Sequence, residues 1–209
     1  MKFYKFCIYV LLPFALLILF ASLLTTKQYL LISKDRYISH HNITFDYDYA
    51  SERIMGYLNY KYDNLLFGET LDDDSVILYD VELRHMVDVK NVYTGLRIVA
   101  GISLILAVLS IVKLRKKNKF ELYMTLKRLY LGPLVLTVFL GSVFAIDFDG
   151  AFTIFHKIFF RNDDWLLPSD SVLLQLLPLN FWLVSAVSIL IMFICSLFLI
   201  RFLNQKINK

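Results

Sequence analysis

Cysteine is nearly missing from this chain, with two in 209 residues. Cys7 and Cys195 both lie in apolar runs and form no C-x-x-C pair, which argues against a membrane thiol oxidoreductase. Cys7 also lacks the preceding small residues that mark a lipidated cysteine. Glycine is scarce, at seven residues, and no phosphate-cradling glycine loop occurs. There is no G-x-S-x-G elbow and no H-E-x-x-H pair, so the common serine-hydrolase and zinc-protease templates have nothing to rest on. Charge is missing from the middle of every long apolar run, with Arg97 at the edge of one as the exception. A proton or ion pump needs such a group at membrane depth, so transport is disfavoured.

What is present in abundance is apolar surface. Hydrophobic residues make up 58% of the chain and the mean hydropathy is +0.59, beyond the usual range of soluble domains. Four runs are long enough to cross the hydrocarbon, starting at Phe6, Ile98 (extended backwards by "VYTGL"), Leu129 and Phe181. The fold class expected is therefore an α-helical integral membrane protein with four transmembrane helices. The first run is long for a signal-peptide core and "ASLLTTKQ" is a poor cleavage site, so an uncleaved anchor is expected.

Charge is sorted along the chain. Lysine and arginine gather at Lys2 and Lys5, in "KLRKKNK" with Lys127 and Arg128, and at Arg201, Lys206 and Lys209, whereas every carboxylate except Glu121 lies in the other two connections. By the positive-inside rule both termini and the middle hairpin face the cytoplasm. Residues 1–26, 93–146 and 180–209 then form the transmembrane domain. Residues 27–92 form an outward cap, and 147–179 a second outward segment.

The cap is expected to be small and β-rich. "YLLISKDRYI", "NITFDYDY" and "SVILYDVELRHMVDVKNV" show partial alternation of β-branched and aromatic residues, which predicts strands. "YASERIMGYLNYKYDNLL" has a helical period through Ile54, Leu58 and Tyr62, and "DDDS" suits a turn. In the second segment "FTIFHKIFF" puts Phe152, His156 and Phe160 on one helical face, the pattern of an interfacial helix. "PSDSVLLQLLP" predicts a short helix capped by Ser169 or Asp170 and closed by Pro178.

Four histidines are available for chemistry. His40 and His41 are neighbours in "SHHN"; on a strand they would point to opposite faces, so a solvated turn is expected and a shared metal is not. His85 and His156 differ, because each lies near a span boundary on the outward side with arginine and aspartate close in sequence. A lone interfacial histidine is usually structural; two at matching depth are less easily dismissed. Strand parity would turn Arg84 and Asp88 away from His85 and leave Glu82 with them. Partners for His85 are then sought in Arg161, Asp163 and Asp164, or in Glu52 and Arg53.

"ELRHMVDVK" before a span, then "FHKIFFRNDDWLLPSDSVLLQLLPLNFW", together with "SERIMGYLNY" and the four-span plan, resembles the lipoprotein intramolecular transacylases of low-GC Gram-positive bacteria, over nearly the whole chain. The resemblance implies a bacterial cytoplasmic membrane enzyme whose site faces the outer leaflet. Its substrate would be a lipoprotein whose N-terminal cysteine carries a diacylglyceryl thioether and a free α-amine, held among membrane lipids. The sn-2 acyl chain would pass to that amine, giving a lyso-form N-acyl lipoprotein. Donor and acceptor share one molecule, so no cofactor is required; no metal and no nucleic acid is expected either. With the resemblance added, His85 is the expected base and acid and His156 a second polar catalytic group. Arg84, Arg161 and His156 are candidate oxyanion partners, and Arg161 and Asp163 supporting residues. The competing readings are a non-catalytic scaffold that binds lipid or a partner, and an outer-leaflet lipid esterase.

Overall fold

The structure is a computed structural model, and it describes residues 1–37, 45–65 and 78–207. Helices account for nearly all regular structure there: α1 (Lys2–Phe6), a π-helical turn (Cys7–Leu11), α2 (Leu12–Leu24), α3 (Lys27–Tyr37), α4 (Tyr47–Leu58), α5 (Asp80–Lys117), α6 (Lys119–Arg128), α7 (Leu131–Ile146), α8 (Phe148–Phe159), α9 (Val172–Leu176) and α10 (Leu179–Ile207). Four helical stretches are long and apolar enough to cross a membrane: Lys2–Leu24, Asp80–Lys117, Lys119–Ile146 and Leu179–Lys206. Two of them carry breaks that proline explains. Pro13 has no N–H to give Tyr9 and its ring crowds that carbonyl, and the π-helical turn falls there. Pro133 does the same to Leu129, where α6 stops before α7 resumes.

The β-rich cap is not found: no strand occurs among the described residues. "YLLISKDRYI" falls largely in α3, the end of "NITFDYDY" opens α4, and most of "SVILYDVELRHMVDVKNV" is the head of α5. Burial shows why alternation misleads. It would put Leu30 and Ile32 on one face, yet Leu30 is 0% exposed and Ile32 78%. At the head of α5 the buried positions are Glu82, His85 and Met86, a helical spacing. This stretch adjoins a span that must be helical, because hydrocarbon leaves no other way to satisfy the backbone. Extending an existing helix needs no new nucleus, and β-branched residues cost it at most about 0.7 kcal/mol each. His40, His41, residues 72–75 ("DDDS") and part of the predicted strands lie outside the described residues.

The chain divides into two compact units, residues 1–21, 95–154 and 187–209, and residues 22–94 and 155–186. The first has a core of Ile8, Leu12, Ala107, Leu114, Leu129 and Leu197. Lys5 pairs with Glu121 at 2.5 Å, and Asn204 donates to the Tyr123 carbonyl at 3.0 Å. Phe139 and Val135 remain exposed, as expected of a surface that faces lipid.

The second unit is built around α4. Asp46 caps it, its carboxylate accepting the Asp48 and Tyr49 N–H groups at 2.9 and 3.0 Å. Its inner face, Ala50, Ile54, Met55 and Leu58, packs against Leu30 of α3, Met86 of α5, Leu173 and Leu176 of α9 and Phe181 of α10. α9 is capped by Ser171, not by Ser169 or Asp170 as expected; Ser171 Oγ accepts the Leu174 N–H at 3.2 Å. Asp170 is engaged elsewhere, accepting the Tyr79 hydroxyl at 2.7 Å.

Candidate active site

The site begins with a buried carboxylate. Glu82 is 0% exposed, and its two oxygens accept the backbone N–H groups of Tyr79 and Leu173, each at 2.8 Å. One carboxylate thus satisfies orphan donors at the starts of both α5 and α9, and it complements both helix dipoles. This fixes the rotation of α5, so the residue three positions on, His85, also faces inward.

His85 and His156 are each 8% exposed, and their ring centroids are 6.1 Å apart. Phe160 lies against both, at 5.1 Å from His85 and 5.6 Å from His156. The spacing of His156 and Phe160, one helical turn, is what the sequence predicted for this face. Trp165 covers the other side of His156, with ring centroids 5.0 Å apart. Two imidazoles therefore sit in an aromatic enclosure within the second unit.

The segment after α8 is clamped onto α5. Arg84 donates from Nε and Nη2 to the two oxygens of Asp164, at 3.0 and 2.9 Å, a forked geometry that fixes direction as well as distance. Asn162 donates to Asp88 at 2.8 Å. The Asn162 side chain also accepts the Asp164 N–H, and the Asp163 carbonyl accepts the Leu166 N–H, which folds the segment into a tight turn. Arg84 and Asp88 lie one turn apart on α5, flanking His85, so this double clamp holds Trp165 over His156.

The expected site residues are thus distributed as follows. His85 and His156 come together. Arg84 is committed to Asp164. Arg161 is exposed and lines a cavity of about 250 Å³ with Asp88, Asn91, Phe160 and Asn162. The Asp163 side chain is exposed and its backbone makes the turn. Glu52 and Arg53 stay with α4: Glu52 pairs with Lys61, and Arg53 lies over the Tyr62 ring at 4.3 Å. Sequence reasoning missed Glu82, Asn162 and Trp165 as parts of this arrangement. Once α5 is known to be a helix, an acidic residue in its first turn signals the Glu82 cap; nothing local signals Trp165.

His85 precedes the apolar part of α5, and its surroundings decide its charge. Its pKa is pushed down to about 4, first by burial and then by His156, while Asp88 and Asp164 oppose the shift. Asp164 is held below the usual carboxylate range, chiefly by its bond from Arg84. At neutral pH His85 is thus an uncharged imidazole, able to take a proton. Its Nδ1 is buried and has no hydrogen-bond partner among the described residues. Among the described residues no three His, Cys, Asp or Glu side chains converge as metal ligands would.

Four helical stretches able to span a membrane, with a buried pair of imidazoles beside the head of one of them, define an integral membrane protein. The chain belongs to the lipoprotein intramolecular transacylase family, whose model, described as lipoprotein intramolecular transacylase Lit, matches residues 3–182. It is accordingly an acyltransferase with lipoprotein substrates. Its fold is similar to that of the membrane-integral lipoprotein intramolecular transacylase Lit from Bacillus cereus, at 22% identity and a TM-score of 0.77, over 98% of this chain and 94% of that one. A structure of the Bacillus cereus protein with a histidine-to-arginine substitution matches at 20% identity and a TM-score of 0.73, over 98% and 90% of the two chains. One with a histidine-to-alanine substitution matches at 20% identity and a TM-score of 0.72, over 98% and 92%. No curated protein sequence matches the chain.

Proposed function

We propose that this acyltransferase moves the sn-2 acyl chain of a diacylglyceryl-modified lipoprotein to the free α-amine of the same N-terminal cysteine, at the outer face of the bacterial cytoplasmic membrane. The observation that carries this reading is His85, a neutral imidazole buried next to a second imidazole. An α-amine has a reference pKa near 8, so at neutral pH a minor neutral fraction is the nucleophile, its ammonium proton having gone to water. His85 takes a proton from this amine as the nitrogen attacks the ester carbonyl carbon. The carbonyl electron pair moves to oxygen. When the tetrahedral intermediate collapses, the bond to the glyceryl oxygen breaks and that oxygen takes the proton back from the imidazolium. One N–C bond forms, one C–O bond breaks, and no water or second substrate is consumed. His156 is the second polar group of this pair, and Arg161 and Asp163 are supporting residues beside it. Arg84 contributes by holding Asp164 rather than by reaching the ester.

Holding amine and ester in one bound molecule supplies proximity, worth about 7–11 kcal/mol in favourable intramolecular reactions. An enzyme nucleophile is therefore not obligatory.

The test uses the purified full-length protein and a diacylated lipopeptide with a free amine, followed by fragmentation mass spectrometry. The expected product has unchanged mass with one acyl group on nitrogen. His85→Ala and His85→Gln should lower turnover at least about 100-fold at matched amounts of folded protein. A His85→Gln enzyme retaining more than about a tenth of the wild-type rate would remove His85 from proton transfer. Release of free fatty acid would mark an esterase instead.

A further inference from the structure

Trp165 carries a polar atom that nothing in the preceding mechanism uses. Its indole Nε1–H is buried and has no hydrogen-bond partner among the described residues. Buried donors of this kind are rare, because losing water without gaining an acceptor costs about 1–3 kcal/mol, so each one calls for a reason. The indole ring is also expensive to hold where it is. It lies with its centroid 5.0 Å from that of His156, on a segment that two separate clamps, Arg84 to Asp164 and Asn162 to Asp88, fasten to the His85 helix. Packing alone would be served as well by phenylalanine, which already lines the other side of the imidazoles as Phe160.

Chemistry narrows what the N–H is for. An indole nitrogen donates and never accepts. Its occupant must bring a lone pair, and the groups that the proposed reaction brings to this enclosure are an ester carbonyl, an amine and a glyceryl oxygen. Of these, the carbonyl oxygen gains charge in the transition state. A neutral donor in an aromatic, water-poor setting stabilises such an oxyanion most where the charge develops. The other buried polar atom without a partner here is His85 Nδ1, a position that can accept a proton. His156 is a neighbour of both rings, its centroid 6.1 Å from that of His85 and 5.0 Å from that of Trp165. One orphan suits the amine proton and the other suits the carbonyl oxygen. Trp165 as a whole is only half-buried, so its ring borders the surface from which a lipid ester would enter.

We infer that the Trp165 indole N–H is the oxyanion donor of the transfer, touching the ester carbonyl oxygen while an imidazole of the His85–His156 pair handles the proton. This rests on the amine-acylation reading above. In the step, the amine nitrogen bonds to the carbonyl carbon and the amine proton goes to imidazole. The carbonyl pair rests on the oxygen held by Trp165. Collapse then returns that pair, expels the glyceryl oxygen and delivers the proton to it.

The experiment compares the wild type with Trp165→Phe and with a variant carrying benzothienylalanine at position 165, in which sulfur replaces the N–H and the ring shape is kept. Turnover of the diacylated lipopeptide is resolved into kcat and KM, alongside the near-ultraviolet circular dichroism of each protein. Both variants should lose about 10²–10³-fold in kcat with KM changed less than about threefold, since the donor acts in the transition state. A benzothienylalanine enzyme with kcat within about threefold of wild type overturns the donor role. It does so even where Trp165→Phe is inactive, because that loss would then be one of packing. A wild type that forms no N-acyl product at all overturns the amine-acylation reading and this role with it. An active wild type with undiminished variants overturns this role alone.

Discussion

His85 meets two demands that pull against each other. It is buried in the aromatic enclosure, and the role proposed for it requires that it exchange a proton. Burial resolves this by keeping it neutral, with a pKa near 4. The sign of the pH dependence follows. The unfolded histidine has a pKa near 6.5, so between about pH 6.5 and 4 the unfolded chain binds a proton that the folded site refuses. Stability contributed by this group is full above that window and is lost as the pH falls through it. The expected observation by NMR is an His85 imidazole whose carbon-bound proton shifts stay constant from pH 8 down to about 5.5, unlike an exposed histidine. The same burial predicts no fall in turnover as the pH drops through 6.5 beyond that from protonating the substrate amine. An inflection of the His85 resonance between pH 6 and 7 would show that the site leaves the imidazole in ordinary solvent.

At the scale of elements, the head of α5 is organised by Glu82 rather than by the ionisable cluster that stands out in the sequence. Its carboxylate holds the first turn of α5 and the first turn of α9 together. Glu82→Ala leaves the buried Leu173 N–H and the part-buried Tyr79 N–H without their acceptor, at up to about 1–3 kcal/mol each. The expected outcome is a loss of about 2–5 kcal/mol in detergent unfolding, with residual activity falling along with the folded fraction. Glu82→Gln keeps one acceptor oxygen and should lose less. Equal stability of all three proteins would show that the clamp contributes nothing. The strand expectation failed in this same stretch, and for a local reason: partial alternation of Val81, Leu83, Val87 and Val89 is compatible with both periods. A helix propagating out of the adjoining span decides between them.

For the whole molecule, the segregation of charge gives an orientation. The proposed orientation puts Lys117, in the basic hairpin, on the cytoplasmic side and Lys157, next to His156 in the chain, on the outer side. In a background lacking Cys7 and Cys195, an impermeant maleimide applied to intact cells should label Lys157→Cys and spare Lys117→Cys. Both side chains are exposed, so access is not the limit. The reverse pattern would invert the topology and put the imidazoles on the wrong side for a lipoprotein already at the outer leaflet.

Membrane character, four spans, the helices around Ile54 and His156 and the two histidines worth attention were all legible in the sequence, because each rests on hydropathy, period or residue chemistry within a short window. The helical cap was not legible, since its deciding influence was the neighbouring span and the burial pattern of Leu30 and Ile32. Nor could any local signal show that Asp164, one residue beyond Asp163, would be the partner of Arg84. The sequence alone determined that His85 and His156 lie near the ends of apolar runs. Only the tertiary structure decided that these residues, 71 positions apart, share one enclosure, that Glu82 turns His85 into it, and that Trp165 closes it with its N–H still unclaimed. Long-range contacts of that kind depend on how whole helices rotate and are clamped, and no window of neighbouring residues contains that information.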